Sequence, residues 1–252
     1  MPPLSQLDRG QLFGAFYGDR PPKIIGLHGW GRSHKDFNLA FSGMAALAVD
    51  LPGFGASPPP SDAWGSAEYA AFLAETLSSM GERFAVVGHS FGGRIAVRLA
   101  QLHPDLVSSL VLTGTPLLRL GDAPRSPVGY RFVKKLARLG LVSEERLDRA
   151  RRRYGSADYR SSNGVMRDVL VRVVNEEYGT VLEQIRCHVT LVWGSEDTVV
   201  PIEIASRARA ILSSAALMVL EGADHYSVLE RHEFREAIEE AEERIESPRT
   251  QR

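Results

Sequence analysis

The segment Phe84–Gly93, F-A-V-V-G-H-S-F-G-G, leaves the chain few ways of folding. Phe84, Ala85, Val86 and Val87 form a short apolar run with the character of a buried strand, and Arg94 to Ala100 reads as a helix. Reversing from strand to helix within about four residues needs positions with little or no side chain, which Gly88, Gly92 and Gly93 supply. Such a turn holds Ser90 at the end of a sheet with its hydroxyl pointing outward.

The flanking sequence repeats the strand-to-helix alternation. Lys23–Leu27 reads as a buried strand, Ser33–Phe41 as a short helix and Met44–Val49 as a strand. A helix capped by Ser66 runs through about Ser79, the helix after Ser90 stops near His103-Pro104, and Val107–Leu112 is the next strand. Leu12–Tyr17 adds a possible edge strand. This order predicts an α/β fold: a mostly parallel central sheet with helices on both faces, whose functional groups lie beyond the carboxyl ends of the strands.

From Pro116 to Cys187 the strands stop. Three helix-like stretches, Val128–Leu139, Glu144–Tyr154 and Gly164–Tyr178, suggest a helical cap, so residues 1–115 and 188–252 form the core and 116–187 an insertion. The insertion carries 15 Lys and Arg against 9 Asp and Glu, which leaves 15 against 22 in the remainder. Its basic residues can be solvated helix faces, or they can receive an acidic partner or an anionic substrate tail. Alternation resumes at Val189, with a helix from Pro201 to Ile211, a last strand at Ala216–Leu220 and a closing helix that carries His232. The charged tail from Ile238 onward frays past Ser247-Pro248.

A serine hydroxyl becomes a useful nucleophile only when a base takes its proton, and the base needs an acid to fix its tautomer. His225, on a loop after the last strand in G-A-D-H, is the candidate base. Asp197, in G-S-E-D-T, is the candidate acid, with Glu196 as the competing choice. His28-Gly29-Trp30-Gly31 follows a strand, so the backbone amides of Trp30 and Phe91 are the candidate oxyanion donors. His28 itself reads as a core histidine holding its own loop, and Asp50 as a loop-organising carboxylate.

The remaining numbers exclude other classes. A net charge of −1 gives no field that would draw nucleic acid or a membrane surface. The single cysteine, Cys187, permits no internal disulfide, and without Cys/His ligand spacing no metal or cofactor is expected. Neither a basic and apolar leader nor a run of 18 apolar residues is present, so a soluble cytoplasmic protein is the expectation.

H-G-W-G at His28–Gly31, D-L-P-G-F-G-A-S at Asp50–Ser57, G-H-S-F-G-G at Gly88–Gly93, W-G-S-E-D-T-V-V-P at Trp193–Pro201 and G-A-D-H at Gly222–His225 resemble the landmarks of α/β-hydrolase-fold proteins. The resemblance covers Lys23 to Phe234 except the cap. It implies a Ser90–His225–Asp197 triad and a carboxylic ester of small or medium acyl size as substrate. H-G-W-G with D-L-P-G-F-G is similar to the pimeloyl-acyl-carrier-protein methyl ester esterases, which implies an acidic carrier protein at the basic cap. The elbow departs from that pattern, with His89 and Phe91 in place of Trp and Leu. Carboxylesterases, carbon–carbon bond hydrolases and perhydrolases are equally similar, and a ligand-binding protein with little turnover is a further alternative.

Overall fold

The structure is a computed structural model that describes residues 2–81, 83–120 and 157–245. Among these described residues eight strands form one sheet: β1 (Leu4–Asp8), β2 (Leu12–Tyr17), β3 (Ile24–Leu27), β4 (Ala46–Asp50), β5 (Phe84–His89), β6 (Val107–Thr113), β7 (His188–Gly194) and β8 (Ala215–Leu220). Their order is β1-β2-β4-β3-β5-β6-β7-β8. The β1/β2 and β2/β4 pairs are antiparallel and every later pair is parallel. The expected mostly parallel sheet is therefore present, extended by an antiparallel edge. β1 escapes the sequence reading because L-S-Q-L-D has no apolar alternation and none of its residues is buried.

Alternate residues of each strand feed two separate cores, as the period of two requires. Ile25, Leu27, Leu47, Val49 and Val86 face α1 (Ser66–Ser78) and α2 (Phe91–Leu102). Ile24, Ala46, Ala48, Val87, Val111 and Val192 share the second core with Phe37, Phe41 and the closing helix. The central strands are buried on both faces, which explains why they read as continuous apolar runs.

Register aligns the strand ends. Leu27 pairs with Gly88, His89 with Thr113, Leu112 with Leu191 and Gly194 with Leu220. The loops after β3, β5, β6, β7 and β8 consequently leave the sheet along one edge.

Several boundaries differ from expectation. Ser33–Phe41 contains only a 3-10 turn, His34–Phe37, capped by Ser33. Gly65, not Ser66, caps α1, and its amide donates to Glu68 Oε2 at 2.9 Å. Ser66 instead gives its amide and hydroxyl to Glu176, at 2.9 and 2.6 Å, which fastens the stretch after Val173 to the start of α1. Among its described residues, segment 116–187 contains α3 (Ala157–Ser161), α4 (Val165–Val173) and α5 (Gly179–Leu182). The stretches Val128–Leu139 and Glu144–Tyr154 lie outside the described residues, as does the tail past residue 245. Pro201 caps α6 (Ile202–Ile211) rather than opening it, and α7 (His232–Glu243) closes the fold. Among the described residues no helix is long and apolar enough to cross a membrane, and no group of His, Cys, Asp and Glu is arranged to hold a metal ion.

Candidate active site

Ser90 stands between β5 and α2 with φ 51° and ψ −111°, backbone angles that a side-chain-bearing residue rarely adopts. Its amide donates to Thr113 O at 2.9 Å, while Gly93 N donates back to Ser90 O at 3.1 Å. The glycines around it allow the close approach this turn needs. A Cβ on Gly92 would overlap the carbonyl of Leu27, and one on Gly93 would overlap the Thr115 side chain. Ser90 is partly exposed, and among the described residues its hydroxyl is hydrogen-bonded neither to α2 nor to His225.

Asp197 and His225 meet on the loops after β7 and β8. His225 Nδ1 lies 2.8 Å from Asp197 Oδ2, both side chains being almost wholly buried. The other carboxylate oxygen, Oδ1, accepts the amides of Val199 at 2.9 Å and Val200 at 2.8 Å. The fully buried indole of Trp193 donates to Val200 O at 2.8 Å and braces the same loop. Glu196 has no such contact with His225, so the carboxylate that reaches the imidazole is Asp197. A carboxylate on Nδ1 keeps the proton there and leaves the Nε2 lone pair as the basic position.

Gly114, the residue after Thr113, lies against the His225 ring: a Cβ on it would stand 2.8 Å from Nδ1 and 3.4 Å from Asp197 Oδ2. Because Ser90 is bonded to Thr113 and His225 packs on Gly114, serine, imidazole and carboxylate occupy one stretch of the sheet edge.

Trp30 lies in the loop after β3, and Phe91 opens α2 directly after Ser90. Among the described residues neither of their amides is taken up by a protein acceptor, whereas Gly92 N is spent on His28 O at 3.0 Å. The Trp30 ring packs edge-on against Phe54 at 4.9 Å and Phe91 at 5.2 Å between centroids, which makes an apolar wall beside the two amides.

His28 is wholly buried and accepts the Leu51 amide on Nε2 at 3.0 Å, so its proton is on Nδ1 and is donated to Gly29 O at 2.7 Å. Burial pushes its pKa down to about 4. It holds its own loop, as expected, and also grips the loop after β4 through the Leu51 amide. Asp50 does likewise: Oδ1 accepts His34 N at 2.8 Å and lies 2.7 Å from His34 Nδ1, and Oδ2 accepts Ala56 N at 2.9 Å.

The sequence reading gave no role to His89, Asp36, Arg32 or Tyr226. His89 Nε2 lies 3.0 Å from the main-chain O of His225, and Tyr226 packs edge-on against the His225 ring at 5.0 Å. A histidine inside the glycine-rich elbow was the available signal for the first of these.

Comparison with known proteins agrees with this architecture. A family model described as "Alpha/beta hydrolase family" matches residues 24–237. A pimeloyl-[acyl-carrier protein] methyl ester esterase of Neisseria meningitidis is 27% identical over 239 residues, covering 85% of this chain and 91% of that protein. A 2-hydroxy-6-oxononadienedioate/2-hydroxy-6-oxononatrienedioate hydrolase of Cupriavidus pinatubonensis is 26% identical over 231 residues, covering 80% and 77%. A solved thermophilic esterase superposes with TM-score 0.70 at 23% identity, over 98% of this chain and 99% of that one, a likeness of fold. The matched span runs from β3 through the loop of His225 and into the closing helix, and the chain belongs to the alpha/beta hydrolase family.

Proposed function

We propose that this hydrolase is serine-dependent and cleaves carboxylic esters of small or medium acyl size. The observation that carries the reading is the buried Asp197–His225 pair on the edge where Ser90 is held at the elbow. In this mechanism His225 Nε2 removes the Ser90 proton as Oγ attacks the ester carbonyl. The carbonyl oxygen becomes an oxyanion bound by the Trp30 and Phe91 amides, each worth roughly 10²–10³ in rate. Collapse expels the alcohol, which takes the proton from His225 and leaves an acyl-serine. Water, deprotonated by the same imidazole, attacks that ester, and the imidazolium returns the proton to Ser90 Oγ as the acid leaves. Asp197 holds the imidazolium in both halves.

The wall of Trp30, Phe54 and Phe91 gives the acyl chain an apolar surface next to the oxyanion donors. The basic segment 116–187 suits an acidic carrier bearing that acyl chain, in line with what the Neisseria relative's name describes. Reversing Lys134, Lys135 and Arg138 to Glu should then slow the carrier-bound ester at low salt and leave the free ester unchanged.

The test is a fluorophosphonate probe followed by a panel of p-nitrophenyl esters and a vinylogous diketone acid. Labelling at Ser90 with fast ester turnover is expected. An unmodified Ser90 in folded protein overturns the reading, and cleavage of the diketone acid without ester turnover replaces it by carbon–carbon hydrolysis.

A further inference from the structure

The geometry points to His89 as a positioning residue that ties the main chain of the base, His225, to the elbow that carries the nucleophile. The inference rests on the reading of Ser90 and His225 as nucleophile and base.

His89 is the last residue of β5 and the immediate neighbour of Ser90, and its side chain is almost wholly buried. Nε2 lies 3.0 Å from the carbonyl oxygen of His225, so Nε2 carries a proton and donates it. Nδ1 has no hydrogen-bond partner among the described residues. The nearest charged atom is Asp36 Oδ2 at 3.8 Å, and that carboxylate is already held by Arg32 Nε at 2.6 and 2.8 Å. A polar ring is thus buried for one hydrogen bond. An apolar side chain would fill the same space without the cost of hiding an unsatisfied nitrogen.

That bond joins the position before the nucleophile to the backbone of the base. Asp197 holds the imidazole of His225 from the β7 loop, and His89 holds its main chain from β5. The two histidine rings lie 4.8 Å apart between centroids, tilted by 50°, so a shift of His89 moves the His225 loop with it. Space for the His89 ring comes from Gly29, where a Cβ would stand 2.9 Å from Nδ1. Both glycine-rich loops of the site are therefore shaped around this side chain. With the bond removed, the loop of His225 keeps its local turn, in which Asp224 Oδ1 accepts the amides of Tyr226 and Ser227 at 2.9 and 2.8 Å, but loses its tie to the elbow.

The experiment compares His89→Phe, which keeps ring volume without a donor, with His89→Gln, whose side-chain amide restores a donor where Nε2 stood. Steady-state kinetics on a p-nitrophenyl ester and the rate of fluorophosphonate labelling are measured on folded protein. Misplacing a reacting group by about 1 Å costs on the order of 10² in rate. His89→Phe should accordingly lower kcat and the labelling rate by about 10- to 100-fold with KM within about twofold, and His89→Gln should recover most of the loss. If His89→Phe does not fold, His89→Asn, whose shorter amide falls short of the His225 carbonyl, takes its place. Unchanged kcat in the folded variant, a change confined to KM, or a Gln variant no better than Phe overturns the inference. A wild-type protein labelled at Ser90 alongside an equally reactive His89→Phe sinks this inference alone, whereas a wild-type Ser90 that never labels takes the proposed function down with it.

Discussion

Asp197 divides its carboxylate between two tasks: Oδ1 is occupied by the amides of Val199 and Val200, and Oδ2 alone meets His225 Nδ1 at 2.8 Å. Asp197→Asn can keep the amide bonds through its carbonyl oxygen, so the loop should survive. Its NH₂ group would then face Nδ1 and favour the opposite imidazole tautomer, with the Nε2 lone pair replaced by a proton. A loss of about 10⁴ in kcat with little change in KM is expected at neutral pH. Steady-state ester kinetics with a thermal melt check both parts. A variant as active as the wild type would show that Asp197 does not set the tautomer.

The backbone of Ser90 supplies a second prediction, because φ 51° with ψ −111° strains any residue that carries a Cβ. Ser90→Gly should raise stability by about 1–3 kcal/mol while abolishing ester turnover. Ser90→Ala should abolish turnover without that gain, since it retains the Cβ. Denaturant unfolding of the three proteins separates strain from the loss of the hydroxyl. Equal stabilities would mean that the elbow holds no strain at this position.

His28 predicts an acid sensitivity unrelated to chemistry. Burial lowers its pKa from 6.5 to about 4 in the folded protein, so the unfolded chain binds the proton first as pH falls. Stability is full above 6.5, declines between 6.5 and about 4, and levels off below, with a total loss of about 3 kcal/mol from this residue. Burial lowers His89 in the same direction and adds to the effect. His28→Asn should be less stable than the wild type at pH 7.5, because the Leu51 amide loses its acceptor, and should show a shallower decline between pH 6.5 and 4. Chemical denaturation across that range is the measurement. An unaltered slope would remove His28 as the source.

Local chemistry made the centre of the fold legible. The glycines of the elbow and the apolar strands between Lys23 and Thr113 follow from local residue chemistry, and a loop carboxylate was legible at Glu196 or Asp197. β1 and the contacts made by His89 were not legible, for a shared reason. β1 is a strand only because β2 offers it a partner, and His89 meets the His225 carbonyl only because the last loop arrives 136 residues later in the chain. Ser66 misled for a related reason, since its natural capping role is displaced by Glu176, which comes 110 residues further along. Pairing across such separations leaves no periodic trace in the sequence.

Acyl selectivity should follow the apolar wall. Phe54 packs edge-on against Trp30 at 4.9 Å and lies 5.9 Å from Phe91, while Met166 of α4 sits over the neighbouring Gly53. Phe54→Ala removes a ring beside the proposed oxyanion loop, which should open further apolar space to an acyl chain. Each additional buried methylene contributes about 0.8 kcal/mol, so two methylenes correspond to roughly 15-fold in kcat/KM. The ratio of kcat/KM for octanoyl over acetyl p-nitrophenyl esters should therefore rise by about 10-fold, mainly through a lower KM for the longer ester. Tyr226→Ala, on the other side of His225, should leave that ratio within about twofold, because its ring packs on the imidazole and under Arg32 rather than on the aromatic wall. A chain-length series on both variants decides the matter, and an unchanged octanoyl-to-acetyl ratio in Phe54→Ala would place the acyl chain elsewhere.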